Sequence, residues 1–108
     1  MSVNYADDIK RYQSNVDEKA IAAIVKHLGI ALKSADASLV SCSSKDELAT
    51  VRESWLKKKL GLADDDAKLD AIIADVCNTM KAETRKSRVT FYYLIAEKSG
   101  KLTSLAGA

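Results

Sequence analysis

The stretch Ser87-Arg88-Val89-Thr90-Phe91-Tyr92-Tyr93-Leu94-Ile95-Ala96-Glu97-Lys98-Ser99 decides the fold. Its β-branched and aromatic residues would suit a buried strand. A lone strand with no pairing partner elsewhere would leave its backbone N–H and C=O groups unsatisfied. Ser87 as cap, Lys98 in the last turn and Gly100 as stop read instead as a helix. Because it is apolar round most of its circumference, that helix belongs at the centre of a bundle.

Working outward, the other segments supply the wrapping. Over 67–80, Leu69, Ile72, Ile73, Val76, Cys77 and Met80 recur at helical spacing, one amphipathic stripe. Asp64, Asp65 and Asp66 precede it, so one can cap the free N–H groups while the others face the positive helix end. Capping outweighs metal binding for this triplet, since no glycine-spaced calcium loop follows.

Over 45–60, Ser44-Lys45-Asp46-Glu47 fits a capping box, and Leu48, Val51, Trp55 and Leu56 give the stripe. Lys57, Lys58 and Lys59 stand in the last turn and Gly61 just beyond it. Over 18–28, Asp17 or Asn15 caps a helix striped by Ile21, Ile24, Val25 and Leu28 and stopped by Gly29. Tyr5, Ile9 and Tyr12 predict a short helix over 6–13. The stretch 30–40 has no clean period, and helix or irregular structure both stay open. The sum is an all-α fold: a compact bundle of about five helices around a central C-terminal apolar helix.

Composition agrees. The 108 residues include no proline and only four glycines, too little turn chemistry for a sandwich or barrel. One domain spanning 1–108 is expected, large enough to bury its own core. The net charge of +2 is too even to argue for nucleic acid by itself. No apolar run approaches the ~18 residues of a membrane span, and the N-terminus carries no apolar signal region, so a leaderless, cytoplasmic chain off the membrane is expected.

The pattern also resembles a known family. The run Asp36-Ala37-Ser38-Leu39-Val40, the segment Glu47-Leu48-Ala49-Thr50-Val51-Arg52 leading to Leu56-Lys57-Lys58-Lys59-Leu60-Gly61-Leu62, and Arg88-Val89-Thr90-Phe91-Tyr92-Tyr93-Leu94 followed by Gly100-Lys101-Leu102 carry the likeness. They are similar to a small bacterial family catalogued as "domain of unknown function 2853". The resemblance spans roughly Tyr5 to Leu105. It implies a bacterial, cytoplasmic, single-domain protein with no assigned activity, and it carries over no catalytic residue.

The residues offer little reactive chemistry. The single histidine, His27, near a helix end, reads as a dipole partner or packed edge residue. Cys42 and Cys77 lie 35 apart without a CxxC pair; two cysteines could form one bridge, but in the reducing compartment expected of a leaderless chain they read as two small buried thiols. Of the two, Cys42, in a serine-rich connection before a helix, is the better nucleophile. A Cys42–His27 pair has no motif behind it. No metal set, cofactor motif or phosphate-cradling glycine loop is present, so an enzyme is not expected and no cofactor is implied.

Two binding features remain. The segment Lys81-Ala82-Glu83-Thr84-Arg85-Lys86-Ser87-Arg88 packs four cations into the start of the aromatic helix. Residues 81–108 hold six basic and two acidic residues, against eleven and thirteen before them. Lys81, Arg85, Lys86 and Arg88 are therefore candidate anion or nucleic-acid contacts, with Tyr92 and Tyr93 as stacking faces. Intramolecular ion pairs are the plainer explanation. Trp55 lies on the stripe of its helix and reads as core, but Leu56 and Leu60 need not fit the same face, and a widened stripe makes Trp55, Leu56 and Leu60 candidate interface residues for a second chain, itself by default. The expected function is a non-catalytic binding module engaging a protein partner, with a homodimer as the default form. The alternative is a weak nucleic-acid or anion binder.

Overall fold

Helix α5 (Arg88–Lys98) runs through the middle of the molecule, and all eight of its residues from Val89 to Ala96 are buried. The structure is a computed structural model and describes residues 5–10, 12, 16–29, 39–63, 65–81 and 86–102. Around α5 lie α1 (Tyr5–Ile9), α2 (Glu18–Leu28), α3 (Lys45–Thr50) and α4 (Asp66–Thr79). Strands β1 (Leu39–Val40) and β2 (Lys86–Ser87) form a two-residue antiparallel ladder, Leu39 opposite Ser87 and Val40 opposite Lys86. The chain is an all-α bundle in which this ladder is the strand pairing seen among the described residues. None of its described helices is long and apolar enough to cross a membrane.

Local chemistry sets the helix ends. The Asp17 carboxylate accepts from the N–H groups of Lys19 and Ala20 at 3.0 and 3.2 Å, which starts α2. Asp65 starts α4 by accepting from the Lys68 N–H at 3.0 Å. Gly61 and Gly100, with φ of 68° and 75°, adopt the left-handed turn that ends their helices and that a Cβ would strain. Ser87 departs from expectation. Its side chain makes no capping bond, because its backbone is committed to the β-ladder. Helix α1 is shorter than the predicted 6–13, and Gln13 lies outside the described residues. So do 30–38, while Leu39 and Val40 are strand.

The main departure is in the helix expected over 45–60. From Val51 the α3 rod continues as a π-helical segment, Val51–Lys59, which closes with the Leu60 N–H on the Trp55 carbonyl at 2.8 Å. On an α-helix, at 3.6 residues per turn, Val51, Trp55, Leu56 and Leu60 would spread over roughly 180°. The i→i+5 bonding widens the turn to about 4.4 residues and gathers the four within roughly 80°. All four are buried.

Three polar hooks fasten the outer elements to α5. The Thr90 hydroxyl, fully buried, donates to the Asp8 carboxylate of α1. The Tyr93 hydroxyl accepts from the Asp17 N–H at 2.9 Å. The Trp55 indole N–H donates to the Tyr92 carbonyl at 3.2 Å. Each satisfies a buried polar atom that would otherwise cost about 1–3 kcal/mol.

Candidate functional site

Arg88 opens α5, where a cation opposes the helix macrodipole. Its guanidinium turns inward. It pairs with the Glu47 carboxylate, donates to the Leu39 carbonyl at 3.1 Å and lies 5.9 Å from the Tyr92 ring centre. The side chains are 14% and 24% exposed, so this pair is largely withdrawn from solvent. Glu47 is the third residue of the expected capping box. Ser44 does accept from the Glu47 N–H at 3.3 Å, but the Glu47 carboxylate takes Arg88 and the Ser41 N–H. The box is half formed because a cation 41 residues away holds its acid.

The basic segment is therefore not gathered into one surface. Lys81 is exposed, Lys86 places its backbone in β2, Arg88 is a clamp, and Arg85 lies outside the described residues. Tyr92 and Tyr93, at 4% and 1% exposure, present no stacking faces.

The candidate interface residues are also inside. Trp55 and Leu56 are fully buried and Leu60 is 7% exposed, within the chain's own core. The π-helical turn is the reason: it brings Leu56 and Leu60 onto the face of Val51 and Trp55, so no second apolar stripe is left outward.

Cys42 and Cys77 are joined in a disulfide with their Cα atoms 5.9 Å apart, which corrects the expectation of two free thiols. Both are half-buried at the rim of the core. No sequence signal pairs them, since the loop before α3 and the last turn of α4 meet only in the tertiary structure. The Cys42–His27 pair is not assembled.

His27 meets Trp55 instead. The two ring centres are 5.0 Å apart, and on the far side Trp55 lies 4.7 Å from Tyr92. The contact places the end of α2, with Lys26 and His27 exposed, against the π-helical segment that ends in Lys58 and Lys59, also exposed. Partial burial, and then the positive charge of Lys59, hold the His27 imidazole below its usual pKa. The two helix ends, each carrying cations, thus adjoin through His27 and Lys59, and Lys26, His27, Lys58 and Lys59 form the basic shelf.

Elsewhere several cations are paired internally. Arg52 donates through Nη1 to both carboxylate oxygens of Asp70 at 3.0 and 3.2 Å and through Nε to Glu53 at 2.9 Å. Lys57 bridges Asp66 at 2.7 Å and Glu53 at 2.9 Å. Lys98 pairs with Asp75 at 2.8 Å. The acidic triplet divides as its position at a helix start demands. Asp65 caps, Asp66 faces Lys57, and Asp64 lies outside the described residues. An open cleft lined by Val16, Asp17, Tyr93, Glu97 and Leu102 flanks the start of α2, and burial raises the Glu97 carboxyl there. Among the described residues, no group of three or more His, Cys, Asp or Glu is placed to hold a metal ion.

The molecule is thus a small helical bundle with several surface ion pairs and a basic shelf at the ends of α2 and the π-helical segment. The family described as "Protein of unknown function (DUF2853)" has a model that matches residues 4–103, and the chain belongs to that family. No curated protein matches the chain.

Proposed function

We propose that this protein works by binding rather than by catalysis, and that it takes an acidic segment of a protein partner on the basic shelf at Lys26, His27, Lys58 and Lys59. One observation carries the reading. The positive charge of Lys59 acts on the His27 imidazole, and Lys26, Lys58 and Lys59 are all exposed at the same two helix ends. Like charges gathered at two adjoining helix ends favour an incoming anion. The buried tyrosines and tryptophan speak for carboxylates over nucleic acid, which is held by stacked bases as well as phosphates. The bacterial, cytoplasmic setting is part of the same proposal, drawn from the family resemblance.

The test is a calorimetric titration with a glutamate-rich octapeptide at about 20 and about 150 mM salt. Binding that weakens with salt, and that drops at least about tenfold in a K58E/K59E variant but not in K68E, is the expected result. Binding unaffected by the reversal removes the shelf. Much tighter binding of an oligonucleotide of equal charge replaces the acidic protein with nucleic acid.

A further inference from the structure

We infer that the Cys42–Cys77 disulfide is a redox-responsive staple, which a dithiol reductant opens to release the corner formed by β1, the 41–44 loop and β2 while the helical core stays folded. The inference stands on the bridge and its surroundings, and not on the basic shelf.

The corner is held by little besides the bridge. The ladder has two residue pairs, and only Val40 of β1 is buried, Leu39 being half-exposed. The loop reaches α3 through two long hydrogen bonds, the Ser41 N–H to the Glu47 carboxylate and the Glu47 N–H to the Ser44 hydroxyl, both at 3.3 Å, and its other bonds, Ser44 N–H to the Ser41 carbonyl and Ser41 to Ser43, lie within the loop itself. The Arg88 clamp reaches the corner through a single carbonyl, that of Leu39. Segments with short ladders and few buried apolar groups sit at the low end of local stability.

The other side of the bridge needs no such help. Helix α4 buries Leu69, Ile73 and Val76 against the core, and Met80 follows at 1% exposure. Cys77 sits on the edge of that stripe, half-buried. Opening the bridge therefore frees the Cys42 side and leaves α4 anchored. Neither cysteine is sealed, and Ser41 and Ser43 beside Cys42 are exposed, small and polar, offering no bulk against an incoming thiol.

The exchange balances with the reductant's two thiols. Its thiolate attacks one cysteine sulfur, the S–S bond breaks, and the departing thiolate takes a proton. The second thiol then attacks the mixed disulfide, releasing the other cysteine as a thiol and the reductant as a cyclic disulfide. Two electrons pass from the reductant to the protein. A disulfide in a reducing compartment is usually of this transient, sensing kind.

Amide hydrogen exchange on the full chain, oxidised and then reduced with dithiothreitol, tests the inference. Exchange is expected to rise at least about tenfold over 39–44 and 86–87, and to change less than about twofold over 89–96. A C42S/C77S variant should show the reduced pattern with or without reductant. Thiols that still titrate after oxidation would overturn the inference by showing no bridge. So would unchanged exchange at the corner on reduction. Loss of protection over 89–96 as well would overturn it too, making the bridge a fastening of the whole fold.

Discussion

The imidazole of His27 and the indole of Trp55 lie 5.0 Å apart, with their planes inclined at 43°. They are the only histidine and the only tryptophan in the chain, so each reports on the other. The indole is fully buried and the imidazole is only partly covered, with the rest open to solvent, which makes the ring pair a window from the core to the basic shelf.

A protonated imidazole in contact with indole quenches its emission. Trp55 fluorescence should fall as pH drops, with a midpoint below 6.5, because burial and then Lys59 disfavour the charged ring. Lys59→Gln should raise the midpoint, and His27→Gln should abolish the transition. A midpoint at or above 6.5 contradicts the arrangement.

The same shift makes stability depend on pH. The folded imidazole binds its proton less well than the unfolded one, so the unfolded chain holds more protons as the pH falls through 6.5. Stability from this group is present above 6.5 and is lost as the pH drops through the folded pKa. Glu53, held low by Arg52 and then Lys57, and Asp66, held low by Lys57, repeat the trend in more acid solution. Urea midpoints should decline from pH ~7 to ~5.5, and His27→Gln should flatten that decline.

Leu56 separates the two helical geometries. On an α-helix it would stand well off the face of Val51, where truncation costs less than about 0.5 kcal/mol. In the π-helical turn it is fully buried, and Leu56→Ala should cost about 2–5 kcal/mol by denaturant unfolding.

Arg88→Met leaves the Glu47 carboxylate without its cation in a mostly buried setting. A loss of about 1–3 kcal/mol is expected, short of the full cost for a sealed pair because some solvent reaches both groups. Arg88→Lys should recover only part, since an ammonium cannot serve Glu47 and the Leu39 carbonyl with one planar fork. Equal stability of Arg88→Met and the parent would show that the clamp contributes nothing.

Thr90→Val keeps the shape of a fully buried side chain and removes the hydroxyl that donates to Asp8. About 1–2 kcal/mol should be lost, and amide exchange in α1 should rise relative to α4.

The helical content was legible because its signals are local. Asp17, Ser44, Gly29, Gly61 and Gly100 act within a turn of themselves, and Val89 to Ala96 could satisfy their backbone only as a helix. Those features are written within four or five residues, the range over which backbone hydrogen bonds and caps operate. The candidate sites were read less well, because each depended on partners far along the chain. Arg88 as an anion contact and Leu56 with Leu60 as an interface were reasonable readings of single segments. They changed once Glu47 supplied a counter-charge and the π-helical turn rotated the leucines inward.

The caps at Asp17, Ser44 and Asp65, the glycine stops and the central place of α5 are therefore local facts, readable because capping and periodic burial are properties of neighbouring residues, whereas the end of α1 and the π-helical turn after Thr50 are not. Only the tertiary structure decided that Cys42 meets Cys77 across 35 residues, that Leu39 and Val40 pair with Ser87 and Lys86, and that His27 rests on Trp55. Such contacts are chosen by how the helices pack around α5, a quantity that no local pattern encodes.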